Sequence, residues 1–484
     1  ENGNQMNEIR IKEVDLRERD VRLRLPFRFG VVTLREAPQL FCRVRIELRD
    51  GRGGWGSTAE LLAPKWFDKD PSLSNDDNFE QLRNSVRNAA ALYVENRAFL
   101  TPFGHFSRNH YGQLESCAAA GLNPLVASFG SALIDRAILD ALCRVREKSF
   151  YEAVRSNVCG LAPSPLLPDL SGISWETFLE SLSARGTVHA RHTVGLADPI
   201  RPEERDDSER VHDGLPETLT EVIAEYGHTY FKIKVSGQAD ADVERLRRIA
   251  DVLSGLDDYQ CTLDGNEQFE EVEQVESFWN AMLQCPDLQR LAASILFIEQ
   301  PLHRKVALEM NVESLDRLRP VIIDESDQDL DSFPLAVGRG YRGVSSKNCK
   351  GMYKSLVNLA RCRRLNDECG SDRYFMSAED LTNQAGLAVQ QDLALAALLD
   401  LKHIERNGHH YVRGMDGLPL QEQKEFLAAH PDLYLNDRGF TRLRIEGGML
   451  RLSSLDCPGF ASGAHPQWQS MREVPLGKSP AWDG

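Results

Sequence analysis

Between residues 230 and 347 the chain repeats one pattern: a short run of apolar, strand-forming residues that ends in a charged side chain. The run 230–235 (YFKIKV) carries Lys232 and Lys234, and the runs 259–263, 295–298, 321–323 and 343–346 lead into Asp264, Glu299, Asp324 and Lys347. From Lys234 onward these charges lie 23 to 35 residues apart. A (β/α)8 barrel of about 250 residues needs roughly 31 residues per unit, so each interval fits one strand and one helix. A strand sends alternate side chains to the same face, so Lys232 and Lys234 project together while Ile233 and Val235 turn the other way. Barrel enzymes carry their chemistry at the C-terminal ends of the strands, where this series falls.

Each motif alone has an ordinary explanation. A Lys-X-Lys pair suits the solvated face of an edge strand, and an acid after a strand suits a helix N-cap. Charges in register, running plus, minus, minus, minus, plus, are far harder to obtain from unrelated surface choices. Three carboxylates converging on one point repel unless a cation lies between them. Hard oxygen donors favour Mg2+, with Mn2+ as a substitute, and octahedral coordination leaves positions for a substrate. A substrate carboxylate held there loses its α proton more easily because the enediolate that forms is stabilised. The lysines then serve as acid and base.

The series resembles the enolase superfamily, and within it the muconate lactonizing enzyme subgroup of the mandelate racemase/muconate lactonizing enzyme family. The motifs that carry the resemblance are KIKVSG (232–237), LDGNE (263–267), FIEQPL (297–302), IIDES (322–326) and SSKNCKG (345–351). The resemblance implies Asp264, Glu299 and Asp324 as the Mg2+ ligands. It implies Lys234 and Lys347 as acid/base residues on opposite faces of the substrate, with Lys232 holding the substrate carboxylate or tuning its neighbour. Asn266 and Glu325 sit beside ligands and suit supporting hydrogen bonds. The implied fold is α/β, a modified TIM barrel of (β/α)7β type with an α+β capping domain built from the N-terminal part and the C-terminal tail.

Within that superfamily, mandelate racemase and the acid-sugar dehydratases place a His at the end of the seventh strand. The corresponding stretch here, 374–383 (YFMSAEDLTN), has none, which argues against a dehydratase. Racemisation or epimerisation, cycloisomerisation, and the syn elimination of an o-succinylbenzoate synthase remain open. Dipeptide epimerases carry Asp-X-Asp in the eighth strand, whereas 402–407 (KHIERN) offers Glu405 and Arg406, a departure that counts against a dipeptide. Glu379 and Glu405 are candidate substrate contacts, with Glu379 and Asp380 alternatively capping the following helix. A rival from another class is an inactive barrel kept for binding or assembly; the complete charge series weighs against it.

Residues 1–160 read as the capping domain, 161–186 as a Pro-rich connector, 187–413 as the barrel, and 414–484 as an insertion plus a return to the cap. Strand alternation covers 9–50, with a turn at 50–54, and helical periodicity covers 79–99 and 131–154. The resemblance implies two mobile cap loops, 26–33 and 54–65, which nominate Arg28, Phe27 and Trp55 as substrate contacts. The alternation at 440–454 is expected to be the strand that returns to the cap.

A net charge of −16 over 484 residues leaves no basic patch for nucleic acid, and no apolar run approaches the roughly 20 residues that span a bilayer. The expected partners are a small-molecule carboxylate substrate and further copies of this chain. Ten cysteines without CxxC spacing suggest reduced thiols in the cytoplasm. Twelve histidines show no zinc spacing: His409 and His410 are adjacent and no HExxH occurs. His189 and His192, on the first barrel strand, read as polar or core residues.

Overall fold

The structure, a computed structural model, describes residues 6–29 and 32–477. Its N-terminal part is a sheet of unusually long strands: β1 (Ile9–Phe29) and β2 (Val32–Leu48) ladder antiparallel from Ile9↔Leu48 to Phe29↔Val32. The register slips between Arg22 and Phe27, and such an irregularity bends and twists a hairpin. Phe27, Phe29 and Leu34, near the end of the hairpin, are thereby carried over the neighbouring barrel. β3 (Gly53–Leu61) joins the other side of β2. Three helices cover this sheet: α1 (Asn75–Glu95), α2 (Pro102–Ala119) and α3 (Pro124–Val145). Each begins with a side chain that accepts the orphan N–H groups of the first turn, from Ser74, Thr101 and Asn123 respectively. Residues 125–143 of α3 are buried on nearly every side apart from Ser128, as befits a helix between two layers. It lies so close to β3 that a Cβ on Gly56 would come within 2.1 Å of Ala141 N.

The second part is an α/β barrel. Eight parallel strands run in the order β10-β9-β8-β7-β6-β5-β4-β11. They are β4 (Thr187–Val194), β5 (Tyr230–Lys234), β6 (Gln260–Asp264), β7 (Ile295–Glu299), β8 (Val321–Ile323), β9 (Gly343–Ser346), β10 (Phe375–Ala378) and β11 (His403–Arg406). A helical segment follows each of the first seven, giving the (β/α)7β pattern. Among the described residues no ladder joins β10 to β11. Side chains close that seam instead: Asp380 accepts from Asn407 N and Gly408 N, both at 3.2 Å, and pairs with Arg406 at 3.0 Å. No helix among the described residues is long and apolar enough to cross a membrane. The ten cysteines are unpaired.

Several expectations change. The predicted cap loops are mostly strand. Residues 26–29 and 32–33 belong to the hairpin, Gly30 and Val31 lie outside the described residues, and 54–61 belong to β3. Backbone ladders to β2 hold both segments, so only 62–65 of the second remains a loop. Helix α2 has no helical signal in its sequence, PFGHFSRNHYGQLESCAA, which lacks a clean apolar stripe. The segment 440–454 does not return to the cap: β13 (Thr441–Leu443) pairs with β12 (Tyr434–Asn436), and β14 (Met449–Arg451) lies antiparallel on β4. The return is made by β15 (Arg472–Glu473), which pairs with Arg17 and Glu18 of β1. The insertion's helix, Leu420–Ala429, is fixed to β1 by a two-pronged ion pair of Arg19 with Glu422, at 2.7 and 2.5 Å.

Gly56→Ala is expected to lower stability by about 3 kcal/mol or more, because the methyl group meets helix backbone that cannot move aside as a side chain would. Denaturant unfolding measures this. A loss below about 1 kcal/mol would show that the β3–α3 contact relaxes.

Candidate active site

The mouth of the barrel gathers charge at the ends of its strands. In β5, Phe231 and Ile233 are buried against the surrounding helices while Lys232 and Lys234 turn inward, as period-two alternation requires. Asp264 and Glu299 terminate β6 and β7, and Asp324 and Lys347 immediately follow β8 and β9. All six side chains are at most 5% exposed. Lys232 Nζ donates to Glu299 Oε1 at 2.9 Å, Glu379 Oε2 at 2.6 Å and Glu405 Oε2 at 2.9 Å, and lies 3.0 Å from Asp264 Oδ2. Lys234 Nζ meets Asp264 Oδ2 at 2.5 Å, and Lys347 Nζ meets Asp324 Oδ2 at 2.6 Å. β5 and β9 lie four strands apart in a ring of eight, so Lys234 and Lys347 approach from opposite sides.

Supporting hydrogen bonds fix the acids. Asn266 N donates to Asp264 Oδ1 at 2.8 Å and Asn266 Nδ2 donates to Glu325 Oε1 at 3.2 Å. The Gln300 amide oxygen accepts from Asp324 N at 2.8 Å and Ser326 N at 3.0 Å, which aims the turn after β8. The backbone just beyond the strand ends is strained: Asn266, Glu267, Gln300 and Thr382 all have positive φ, at 41°, 68°, 35° and 63°. Non-glycine residues bear such conformations only where surrounding bonds enforce them, and they concentrate at functional sites.

Above this floor lies a small cavity, roofed by Phe27, Phe29, Leu34, Ala63 and Trp66 from the cap. The Lys347 ammonium stands 4.2 Å from the centre of the Trp66 ring, an attractive cation–π contact. Of the proposed cap contacts, Phe27 lines the cavity. Arg28 does not: it alternates with Phe27 and Phe29 and is exposed. Trp55 is also absent from the cavity and stacks on Arg43, with the guanidinium 4.6 Å from its ring centre. Trp66 takes the place expected of it.

Glu405 lines the cavity, but its oxygens are committed, Oε2 to Lys232 and Oε1 to the Thr193 hydroxyl at 2.6 Å. Glu379 lies deeper, bonded to Lys232, to Arg191 at 2.8 Å and to Ser377 at 2.9 Å. It is not a helix cap, since the next helix, Leu387–Leu398, starts after Gly386. Arg191, Thr193, Asn407 and Trp66 are site residues that sequence reasoning missed. Arg191 and Thr193 carry a sequence signal, their alternation along 187–194. His189 packs on Tyr230 rather than facing the mouth, and His192 points out of the barrel.

Burial works to raise the Asp264 and Asp324 carboxyls, and the lysines outweigh it, so both are held below the ordinary carboxylate value. Glu299 goes the other way: burial, with Asp264 and Glu379 adding negative charge, pushes it well above the usual range. Its Oε2 is buried without a hydrogen-bond partner. An unsatisfied carboxylate oxygen flanked by two further acids on successive strands is a hard donor set with excess negative potential, which fits Mg2+.

No sequence-family profile and no curated protein matches the chain. Solved structures do. A dipeptide epimerase from Enterococcus faecalis V583, complexed with Mg and L-Leu-L-Tyr, is 16% identical, with 94% of this chain and 100% of that one covered at a TM-score of 0.57. A mandelate racemase/muconate lactonizing protein from Herpetosiphon aurantiacus is 15% identical over 94% and 99%, at 0.57. The muconate lactonizing enzyme of Pseudomonas fluorescens, complexed with muconolactone, is 15% identical over 95% and 97%, at 0.57. The fold is therefore that of the mandelate racemase/muconate lactonizing enzyme structures: a modified TIM barrel with a capping domain.

One buried cluster couples cap to barrel. Glu267 accepts from Arg304 Nε at 2.7 Å and Nη2 at 2.9 Å and pairs with Lys69, while Arg304 donates to Phe67 O at 2.9 Å and Trp66 O at 2.7 Å. Burial opposes the Glu267 anion, but Arg304 and Lys69 prevail and lower its pKa to about 2. A depressed carboxyl stabilises the fold above its unfolded value, near 4.5, and loses that contribution as pH falls toward 2. Glu267→Gln is accordingly expected to cost up to about 3 kcal/mol at pH 7, with the gap to wild type closing below about pH 4. Unfolding measured from pH 3 to 7 checks it; a pH-independent gap would mean that the charge is not what matters.

Proposed function

We propose that the chain is an enzyme of the enolase superfamily that abstracts a proton α to the carboxylate of a small acid. The observation that carries this reading is the pair of lysines on opposite sides of one cavity, each hydrogen-bonded to a carboxylate at a strand end. Asp264, Glu299 and Asp324 would hold Mg2+, which would neutralise the three acids and polarise a substrate carboxylate, lowering the cost of deprotonating the adjacent carbon.

Lys232, already bonded to Glu299, is fixed as a cation beside the position where substrate charge develops, and a preorganised charge of this kind requires no rearrangement during reaction. Lys234 and Lys347 are the acid/base pair. For either to act, substrate must enter between them and displace its carboxylate contact. One lysine removes the α proton from its own side as the enediolate forms. Return of a proton from the opposite lysine inverts the carbon, giving racemisation or epimerisation. If only one lysine transfers protons, the other stabilises charge while the product arises by cycloisomerisation or syn elimination. The aromatic roof favours a substrate whose remainder is apolar. Dipeptides and muconolactone are the ligands of structures with this fold. At the eighth strand Glu405 is committed to Lys232 and Thr193, which favours an acid without a free ammonium group.

The test is α-hydrogen exchange in deuterated water, followed by NMR across N-acyl amino acids, dipeptides and cyclohexadiene carboxylic acids. Exchange should require a divalent cation, and Asp264→Asn, Glu299→Gln and Asp324→Asn should each lower it by about 10²–10⁴-fold, a typical range for removal of one catalytic group. Lys234→Ala and Lys347→Ala should each retain exchange of one enantiomer only. Full activity after EDTA treatment would overturn the metal assignment. Unchanged exchange of both enantiomers in both lysine variants would overturn the two-base mechanism.

A further inference from the structure

Behind the barrel mouth, on the outer face of β4, three imidazoles from three separate segments meet. His192 lies on β4, His228 in the turn before β5, and His409 in the short helix Gly408–Tyr411 that follows β11. His192 Nδ1 is 3.3 Å from His409 Nε2, and His228 Nε2 is also 3.3 Å from His409 Nε2. One nitrogen from each ring lies within 4.8 Å of the other two. His192 and His228 are buried, and His409 also lines a small cavity with Tyr226 and Arg442. The sequence hid the cluster because its members are dispersed and because the adjacent pair His409-His410 does not act as a unit.

Hydrogen bonding among the rings does not account for the arrangement. His228 Nδ1 lies 3.0 Å from the carbonyl of Ala190, which fixes that nitrogen as the donor and leaves Nε2 as a lone pair. His409 Nε2 faces this lone pair and His192 Nδ1 at equal distances. If His409 Nε2 carries a proton it can point well at only one of them; if it does not, two lone pairs oppose each other at 3.3 Å. A cation at the centre satisfies all three nitrogens together. Tetrahedral Zn2+ with Zn–N near 2.0–2.1 Å sets its ligand nitrogens roughly 3.3–3.4 Å apart, which matches both measured edges. A backbone carbonyl orienting a ligating imidazole through its other nitrogen is the usual support for such a site.

We propose that His192, His228 and His409 form a binding site for a borderline divalent transition metal, Zn2+ by preference, distinct from the carboxylate site in the mouth. Neutral nitrogen donors suit that class of ion and are poor ligands for Mg2+. The nearby guanidiniums do not bar a cation, because each has a carboxylate partner. Arg442 pairs with Asp437 at 2.6 Å, Arg406 with Asp380 at 3.0 Å, Arg24 with Asp213 at 2.6 Å and Arg205 with Glu217 at 3.4 Å. The ion would join β4, the turn into β5 and the segment after β11, the place where the ring of strands begins and ends.

The experiment uses the untagged full chain, loaded with Zn2+ and dialysed against buffer containing Mg2+, with bound metal counted by elemental analysis. One Zn2+ per chain is expected. His409→Ala and His228→Gln should lose it, lowering affinity by more than the 10–100-fold typical of second-shell changes. Asp324→Asn and Cys369→Ser, which remove a carboxylate of the mouth and the exposed thiol, should keep it. Absence of retained Zn2+ in wild type, retention in both histidine variants, or loss in Asp324→Asn or Cys369→Ser overturns the site. Should the histidine variants fail to fold, Co2+ bound to wild type decides: visible bands of a tetrahedral nitrogen site sustain the proposal, and thiolate charge-transfer bands or an octahedral spectrum overturn it. The outcome does not depend on whether the mouth is catalytic.

Discussion

The ammonium of Lys232 is shared by four carboxylates, and that sharing organises the barrel mouth. Asp264 comes from β6, Glu299 from β7, Glu379 from the end of β10 and Glu405 from β11, so one cation on β5 contacts groups from four other strands. Burying such charges costs several kcal/mol per ion unless each finds partners. The surroundings provide them: Arg191 on Glu379, Thr193 on Glu405, Lys234 on Asp264. The unladdered seam between β10 and β11 falls between Glu379 and Glu405. Where backbone hydrogen bonds are missing, Lys232 bridges the two sides, helped by Asp380 and Arg406.

This dependence explains which parts of the site were legible in the sequence. Strand alternation alone put Lys232 and Lys234 on one face, and apolar runs ending in Asp264, Glu299 and Asp324 located the C-terminal rim. Both inferences use local geometry, which a short stretch of sequence determines. Arg191 shares the same local signal, yet its partner Glu379 lies 188 residues away, and nothing near either residue announces the pairing. The cap was less legible for a related reason. The sequence nominates Trp55, inside 54–65, and not Trp66, one residue beyond it; the β2–β3 ladder commits Trp55 to Arg43, whereas the Arg304 bonds to the Trp66 and Phe67 carbonyls place Trp66 over the barrel. Long-range hydrogen bonds made that choice.

The cap and the barrel are therefore not independent layers. The positive-φ turn at Asn266 and Glu267 serves both: Asn266 braces Asp264, and Glu267 holds Arg304 under the roof loop. A change in that turn reaches the Asp264 carboxylate and the aromatic roof through one short segment. Strain there is maintained by bonds on both sides, consistent with a turn that must satisfy two sets of partners at once.

The barrel wall also separates two kinds of donor. Inward-facing positions on β5, β6 and β7 offer carboxylates and ammoniums, whereas the outward-facing His192 of β4 meets two further imidazoles. The same alternation that turns Arg191 and Thr193 into the mouth turns His192 out of it. Under the two proposals, a hard cation would take its oxygens from inside and a borderline one its nitrogens from outside, so donor type would partition two metals across a wall one strand thick. The two sites share β4, and a change in the outer cluster that shifts this strand would move Arg191 and Thr193, and through Glu379 and Glu405 the ammonium on which the mouth is organised.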